Sequence, residues 1–402
     1  MKINIHEIKM HLKKRGENIE KSPIGSRLKY KRKQLKLTLQ EVSENICSVS
    51  YLSKIENNMI KATPRYIHAL KEKYQMHDEI HENQDYEKQL DKMIEAFFKH
   101  EKVDIAHTDY QDYQEYMLTF CSFVINHEFN KTKALLKDMV LFIPNLPIKS
   151  LNTLLLFTAY VLNHDLRYSD SKELLDLMID EDDDQMLYLL KQKYLLDNAF
   201  KMKNYTLFNQ IYEKYMKKLI EHNYIQEIPM IKLKYSILFD AFDFVNQYLK
   251  QNRIQQIKDD TKELIFTSLL KQKKYQQLIQ LVKPNLQNTI HLYYYILSHY
   301  YLNDIHSIKK ILIHFIEEHQ LKQEQLIMAM HLKYKYLSNK QEQLDYLRNE
   351  LLGYKHITDD VEVLYCLMLD AFKMFKKHFY YKEATEVIAM YLPKIKQLMT
   401  EK

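Results

Sequence analysis

The chain has 402 residues, with three glycines, seven prolines and no tryptophan against 32 tyrosines and 18 methionines. So few glycines provide too little turn chemistry for a many-stranded sheet, and they leave no glycine-rich loop to hold a cofactor, so the composition predicts an all-α protein that is not an enzyme. The net charge of +6 is uneven, because residues 22–76 carry eleven basic against four acidic residues and residues 1–21 carry six against three. The basic N-terminal end is therefore expected to meet a polyanion such as DNA.

The cysteine and apolar patterns place limits on the class of protein. Cys47, Cys121 and Cys366 are scattered without CxxC spacing, so neither a disulfide framework nor a metal site is predicted, and no cofactor is expected. No run of about 18 apolar residues occurs, and the N-terminus lacks the apolar region of a signal peptide. We expect a cytoplasmic protein without a membrane partner.

Residues 22–76 are predicted to form a domain of four short helices, preceded by a basic extension, residues 1–21. Thr38 with Glu41 three residues later is a capping box, which starts the second of these helices. Ser48 follows as the next N-cap, and Thr63 opens the fourth helix with a proline at its first position. The apolar positions expected to form the core of this domain are Ile24, Leu28, Val42, Ile46, Leu52, Ile55, Ile67 and Leu70.

The helix that begins after Ser48 is the candidate for contact with DNA. Helical spacing turns its two apolar residues inward and leaves Ser50, Tyr51 and Lys54 on the opposite face. Two short helices joined by a tight turn, with the second presenting small hydroxyls, an aromatic ring and a lysine, match the helix-turn-helix that enters the major groove. The alternative is a small helical domain that binds another protein through the same face.

The stretch "SENICSVSYLSKIENN" resembles the XRE-type helix-turn-helix, and in particular the form found in the peptide-pheromone regulators of the RRNPP group, the Rgg, PlcR and NprR type. The resemblance implies that Arg32 pairs with Glu56 in a structural role. This sequence departs from the family at two positions. Leu39 stands where many relatives have a phosphate-binding Gln, and Asn45 replaces the small residue that often precedes the turn in relatives. The residues for which the resemblance implies contact with bases or phosphates are Arg27, Lys31, Thr38, Gln40, Ser48, Val49, Ser50, Tyr51 and Lys54.

Residues 77–105 are predicted to form a linker helix, since residues 77–100 are acidic and contain no glycine or proline. His77 and His81 have the spacing of two metal ligands on one helix face, but Asp78 replaces the glutamate of the zinc-protease motif. A solvated linker is therefore favoured over a metal site.

Residues 106–402 contain recurring segments with a polar turn, a bulky apolar residue and then an amphipathic helix. Tyr205 and Tyr275 lie 70 residues apart, which is two steps of 35, and Phe129 and Tyr381 begin similar segments. A period near 34 residues is typical of tetratricopeptide helix pairs. We expect seven or eight such pairs, stacked into a superhelix with a concave ligand-binding surface.

The order of a helix-turn-helix followed by a tetratricopeptide-like array also resembles the RRNPP plan. This resemblance implies a short signalling peptide in the concave groove, held by Asn side chains that offer both a donor and an acceptor to a peptide backbone. It also implies a homodimer formed through the C-terminal repeats, with residues 370–399 as the candidate surface. The candidate peptide-binding residues are Asn126, Asn163, Asn198, Tyr294 and Tyr301, although asparagines before a turn also serve as helix caps.

These patterns predict a sequence-specific DNA-binding transcriptional regulator whose repeat domain senses a signalling peptide. Two alternatives remain open. In the first, the repeats form a scaffold for protein interaction while the helix-turn-helix only tethers the chain to DNA. In the second, the protein is a phage-type repressor that needs no ligand.

Overall fold

The computed structural model describes residues 3–14, 24–57, 60, 62–74, 83–104, 113–179, 184–318, 321–352 and 358–400. These residues are helical and contain no β-strand, which confirms the all-α prediction. The chain divides into two compact units: Met1–Val161 with Glu173–Lys191, and Leu162–Lys172 with Gln192–Lys402. None of the described helices is long and apolar enough to cross a membrane.

The N-terminal third of the chain contains short helices that belong to the first unit. Their bounds are α1 Ile5–Lys13, α2 Ile24–Gln34, α3 Leu39–Ser43, α4 Val49–Glu56, α5 Pro64–Lys73 and α6 Asn83–Lys99. Helices α2 to α5 correspond to the four short helices predicted for residues 22–76.

Within the described residues, eight helix pairs follow α6 along the chain, where seven or eight were expected. They are α7 Tyr113–Ile125 with α8 Phe129–Met139, α9 Ile148–His164 with α10 Tyr168–Asp176, α11 Gln185–Lys201 with α12 Tyr205–Glu221, α13 Ile228–Leu238 with α14 Asp243–Gln251, α15 Asp259–Lys271 with α16 Tyr275–Val282, α17 Thr289–Tyr301 with α18 Ile305–Glu318, α19 Gln323–Leu337 with α20 Lys340–Asp345, and α21 Val361–Lys377 with α22 Tyr381–Thr400. Short 3-10 turns precede or follow several of them at Val140–Asn145, Ile225–Glu227, Ile254–Gln256 and Lys283–Asn285, and a π-helical turn, Tyr346–Leu351, continues α20.

Seven of these eight pairs turn at a residue with left-handed backbone, and none of the seven residues is glycine. In the third pair, Lys203 has φ 54°, and the amide of Asn204 donates to the carbonyl of Ala199 at 2.8 Å. This bond satisfies a carbonyl that the end of a helix would otherwise leave without a partner. The seven residues are His127, Leu166, Lys203, Asp240, Lys273, Asn303 and Phe379.

Helix α6 lies within residues 77–105, the segment expected to be a solvated linker, but one of its faces is buried. Leu90, Ile94 and Phe97 are buried, and the rings of Phe97 and Phe157 have centroids 4.4 Å apart. The hydroxyl of Tyr86 shares a hydrogen bond of 2.8 Å with that of Ser150. Helix α6 is therefore packed against the first helix pairs. His77 and His81 lie outside the described residues.

The basic extension contains a folded helix, α1, that packs against the 3-10 turn Val140–Asn145. Ile3, Ile5 and Ile8 are buried, and Lys9 forms an ion pair with Glu173. Helix α2 contacts the same 3-10 turn. Both the extension and the short-helix domain thus lie against the start of the repeat array within the first unit.

In the second unit, contacts join residues far apart in the sequence. The amide of Asp359 donates to the carbonyl of Leu166 at 2.7 Å, and the amide of Ser169 donates to the Asp359 carboxylate at 3.1 Å. Lys394 pairs with the other oxygen of the same carboxylate at 2.9 Å. The residues before α10 therefore lie directly against the residues before α21.

Candidate nucleic-acid interface

Helices α2 to α5 enclose one small apolar core. Leu28, Val42, Leu52, Ile55 and Leu70 are at most 1% exposed and pack together, so each of the four helices contributes at least one residue. Because these positions are spaced at helical intervals, burying them fixes which face of each helix points to solvent. The expected core is correct for these residues, and Ile67 packs against the cluster while remaining partly exposed. The side chain of Ile24 lies outside the described residues.

The two helices of the helix-turn-helix begin at the predicted caps. Thr38 Oγ1 accepts from the amide of Glu41 at 3.2 Å, and the Glu41 carboxylate accepts from the amide of Thr38 at 2.6 Å. Ser48 Oγ accepts from the amide of Tyr51 at 3.1 Å. These bonds satisfy amides at the start of α3 and α4.

The turn between α3 and α4 differs in one detail from the expectation. Helix α3 ends at Ser43, so Ile46 lies in the turn rather than on the helix, where it packs against the core and remains partly exposed. Asn45 has φ 63°, and its short polar side chain tolerates this left-handed conformation. The substitution of Asn for a small residue is thus compatible with the turn.

Arg32 and Glu56 lie in contact, as the resemblance implied. Arg32 donates from Nε and from a terminal nitrogen to the two carboxylate oxygens of Glu56, at 2.8 Å each, and its other terminal nitrogen donates to the carbonyl of Leu37 at 3.0 Å. The Glu56 side chain is 2% exposed. The hydrogen bond to Glu56 raises the pKa of Arg32 above its ordinary value. This pair joins α2 to the end of α4 and leaves neither group available to DNA.

The outer face of α4 is open to solvent. Ser48, Val49, Ser50 and Lys54 are exposed, and Val49 retains 42% of its surface. Tyr51 is half-buried, with its ring at 5.1 Å from that of Tyr66 in an edge-to-face arrangement. An exposed valine flanked by serines, with a lysine one turn further on, offers apolar, hydrogen-bonding and cationic contacts on one helix face.

The remaining candidate DNA contacts are less uniform. Thr38 and Gln40 are exposed at the start of α3, whereas Lys31 is half-buried on α2. The side chain of Arg27 lies outside the described residues. Leu39 lies at the position where the resemblance implied a phosphate-binding Gln, and it packs against the apolar core. The neighbouring Gln40 is therefore the side-chain amide that remains as a candidate phosphate contact.

Two lysines connect helices of this domain through contacts that no sequence pattern indicates. Lys73 on α5 donates to the carbonyls of Glu41 and Glu44 at 2.6 and 3.3 Å, which places a cation at the C-terminal end of α3. Lys29 on α2 donates to Asn57 at 2.7 Å, the residue that ends α4. The residues in each contact lie 28 to 32 positions apart, beyond the reach of helical periodicity.

The asparagines proposed for peptide binding mostly bind their own chain. Asn126 donates to the carbonyl of Val103 at 2.8 Å and accepts from its amide at 3.3 Å. Asn198 is fully buried; in the orientation that satisfies its neighbours, it accepts from Ser171 Oγ at 3.0 Å and donates to Asn163 Oδ1 at 2.8 Å. The placement of Asn198 as a peptide contact is therefore wrong, because helix packing encloses its amide. Asn163 is partly exposed beside it.

The two tyrosines behave differently from each other. Tyr294 is 5% exposed and shares a hydrogen bond of 2.6 Å with Thr267, so its assignment to a ligand surface is also wrong. Tyr301 is 46% exposed and stacks on Tyr275, with centroids 5.5 Å apart.

Within the described residues no group of three or more His, Cys, Asp or Glu side chains is arranged to hold a metal ion. Comparison with known proteins gives one match: residues 28–77 fit the family model described as helix-turn-helix. No curated protein and no solved structure matches the chain. The exposed face of α4 thus belongs to a helix-turn-helix segment, which supports a DNA-binding regulator.

Proposed function

We propose that this protein is a sequence-specific regulator that inserts α4 into the major groove and responds to a short peptide bound by its repeat array. The observation that carries the first part is the composition of the outer face of α4, where Val49, Ser50 and Lys54 are exposed while Arg32 and Glu56 fix the helix from behind. Arginine held by a buried carboxylate positions the helix without contributing a base contact.

The proposed docking assigns a task to each exposed residue. Ser48, Val49 and Ser50 lie at the N-terminal end of α4, which is the part of a recognition helix that reaches base edges. Val49 offers an apolar contact suited to a thymine methyl group, and the serines donate or accept hydrogen bonds. Thr38 and Gln40, together with the surrounding lysines, would bind the phosphate backbone and supply most of the salt-dependent affinity.

The peptide-sensing part rests on architecture and on one set of polar side chains in the second unit. Lys201 lies 2.8 Å from Glu324 and 3.1 Å from Asp360, and Tyr168 donates to Glu324 at 2.5 Å. These four side chains come from α10, α11, the start of α19 and the residue before α21, and Lys201 remains 30% exposed. A peptide offers charged ends and backbone amides, and these groups can replace the present hydrogen-bond partners of the four side chains. We place the ligand here and not at Asn198 or Tyr294.

The proposed domain arrangement assigns DNA binding to residues 22–76 and sensing and dimerisation to residues 106–402, with residues 77–105 between them. Dimerisation through residues 370–399 remains part of the proposal. It is supported by exposed aromatic side chains in the last turn, where Phe379 and Tyr381 retain 77% and 57% of their surface.

Substitution of Lys54 tests the docking of α4. Lys54→Ala is expected to weaken binding to a duplex selected on the parent protein about tenfold, because a good base contact contributes about 1–3 kcal/mol. Lys137→Ala is the matched control, since Lys137 is exposed on α8 and outside the helix-turn-helix. Fluorescence anisotropy at fixed salt gives both affinities. Equal affinity for parent and Lys54→Ala would remove Lys54 from the interface.

A further inference from the structure

Helix α1 lies outside the segment that matches the helix-turn-helix family, yet it is fixed beside it. Its start is anchored by Ile5 and Ile8, which are 7% and 2% exposed, and by the ion pair of Lys9 with Glu173. Both α1 and α2 pack against the turn Val140–Asn145. The C-terminal end of α1 is therefore held next to α2.

This packing gathers positive charge where the two helices meet. Burial lowers the pKa of His11, and the charges of Lys14, Lys29 and Lys33 lower it further against the opposing effect of Glu7. The turn Val140–Asn145 adds no charged residue. Three lysines from two helices thus converge around the end of α1, with His11 between them.

Among the described residues, the carboxylate that acts on Lys29 does not neutralise this cluster. Glu56, the acidic group that acts on Lys29, is already bound through both oxygens to Arg32. Lys14 and Lys33 are exposed. Like charges held together by a fold destabilise it unless an anion approaches, and such a patch raises the local concentration of polyanions.

The position of the lysines relative to α4 identifies the anion. Lys29 donates to Asn57 at 2.7 Å, and Asn57 ends the helix that is proposed to enter the major groove. The patch therefore adjoins one end of the DNA-reading helix. Phosphates flank the major groove on both sides, so a cationic surface next to the end of a recognition helix is placed to meet the backbone.

We propose that Lys14, Lys29 and Lys33 bind DNA backbone phosphates, so that the N-terminal helix α1 adds a second contact surface to the helix-turn-helix. The patch would raise affinity for all sequences alike, while α4 determines sequence preference. This inference rests on the proposed DNA-binding function.

The test compares the salt dependence of DNA binding in full-length variants. Lys14→Ala/Lys33→Ala is expected to lower the slope of log affinity against log salt by roughly one to two, since each lost phosphate contact changes it by about 0.9. The ranking of selected and scrambled duplexes should stay the same. Lys137→Ala should reproduce the parent slope. An unchanged slope in the double variant would overturn the proposal.

Charge reversal provides a readout that a purely structural role of α1 would not produce. Lys14→Glu places a carboxylate beside Lys29 and Lys33, so it is expected to raise the melting temperature while weakening DNA binding. A lower melting temperature together with unaltered DNA affinity would assign the patch to packing alone. If the parent protein binds no duplex even at low salt, the proposed DNA-binding function fails. If the parent binds DNA and the patch variants bind with the same affinity and the same salt slope, the DNA-binding function stands and this inference alone fails.

Discussion

Arg32 and Glu56 determine how α4, the helix proposed to read DNA, is held. Both carboxylate oxygens and all three guanidinium nitrogens are hydrogen-bonded within the domain, and the Glu56 side chain is 2% exposed. A buried ion pair contributes little relative to apolar residues of the same size, but loss of one partner leaves an uncompensated charge. The pair therefore fixes the position of α4 more than it adds to stability.

Glu56→Ala is expected to destabilise the helix-turn-helix by about 3 kcal/mol, because Arg32 would remain buried without its partner. The double variant Arg32→Leu/Glu56→Leu should recover most of this loss. Because the chain has no tryptophan, its unfolding cannot be followed by tryptophan fluorescence. Hydrogen exchange of the backbone amides of the buried residues Leu52 and Ile55 measures the change in stability instead. Lys382→Ala removes the exposed pair with Glu386, 3.9 Å apart, and should have almost no effect. Unaltered exchange in Glu56→Ala would contradict the assigned role.

Another buried ionic cluster shows what residue patterns do not reveal. One oxygen of Asp370 accepts from Tyr300 at 2.8 Å and from Lys335 at 2.7 Å, and lies 3.0 Å from His331 Nε2. Burial opposes ionisation of Asp370, but His331 and Lys335 together hold its pKa well below the ordinary range. These residues come from three helices, up to 70 positions apart, and each looks like an ordinary polar position in the sequence.

At the scale of the helix, the sequence indicates the caps and some of the turns, since α8, α12, α16 and α22 begin at Phe129, Tyr205, Tyr275 and Tyr381, each expected to follow a polar turn. Thr38 and Ser48 were identified because a capping residue and its partner lie within one helical turn. The turns of the helix pairs lack the glycine that usually marks a left-handed residue. Lysine, histidine, leucine, phenylalanine, aspartate and asparagine occupy those positions instead. The number of pairs could therefore be bounded from the sequence but not fixed.

Lys273 allows this element-scale interpretation to be tested. Its φ is 59° and its side chain is exposed, so the residue bears the cost of left-handed backbone without burying its side chain. Lys273→Gly is expected to stabilise the protein by about 0.5–1 kcal/mol, since glycine adopts this conformation freely. Lys273→Ala, which shortens the side chain but retains the backbone cost, is the control. Thermal unfolding should place the alanine variant below the glycine variant, and the reverse order would contradict the account.

Helices α1 and α6 have buried faces that the charge pattern does not indicate. Charge predicts a basic extension around α1 and a solvated linker around α6, although Tyr86, Leu90, Ile94 and Phe97 of α6 recur at intervals of three or four. That spacing is a sequence signal for a buried face, and it outweighs the acidic composition. The partner of each face, the start of the repeat array, could not be read because it depends on tertiary packing.

At the scale of the whole molecule, the proposed sensor is tested by the ligand itself. Protein isolated from its own host is expected to carry the added mass of a short peptide in native mass spectrometry. Lys201→Met removes the cation between Glu324 and Asp360, so it should lose the added mass. Lys217→Met, an exposed change on α12 outside residues 370–399, should retain it. A parent protein with the mass of the bare chain would contradict peptide sensing and favour a protein partner or a repressor without ligand.

The central claim is that α4 reads a DNA sequence, and selection of duplexes from a random-sequence pool tests it most directly. The full-length protein is expected to enrich one common site within a few rounds, and to bind it at least about a thousandfold more tightly than unselected DNA. A protein that reads half-sites as a dimer should select a repeat with its halves separated by one helical turn or a multiple. Recovery of the starting pool without a common sequence, with affinity lost at higher salt, would contradict the account and describe a tether that binds only the phosphate backbone.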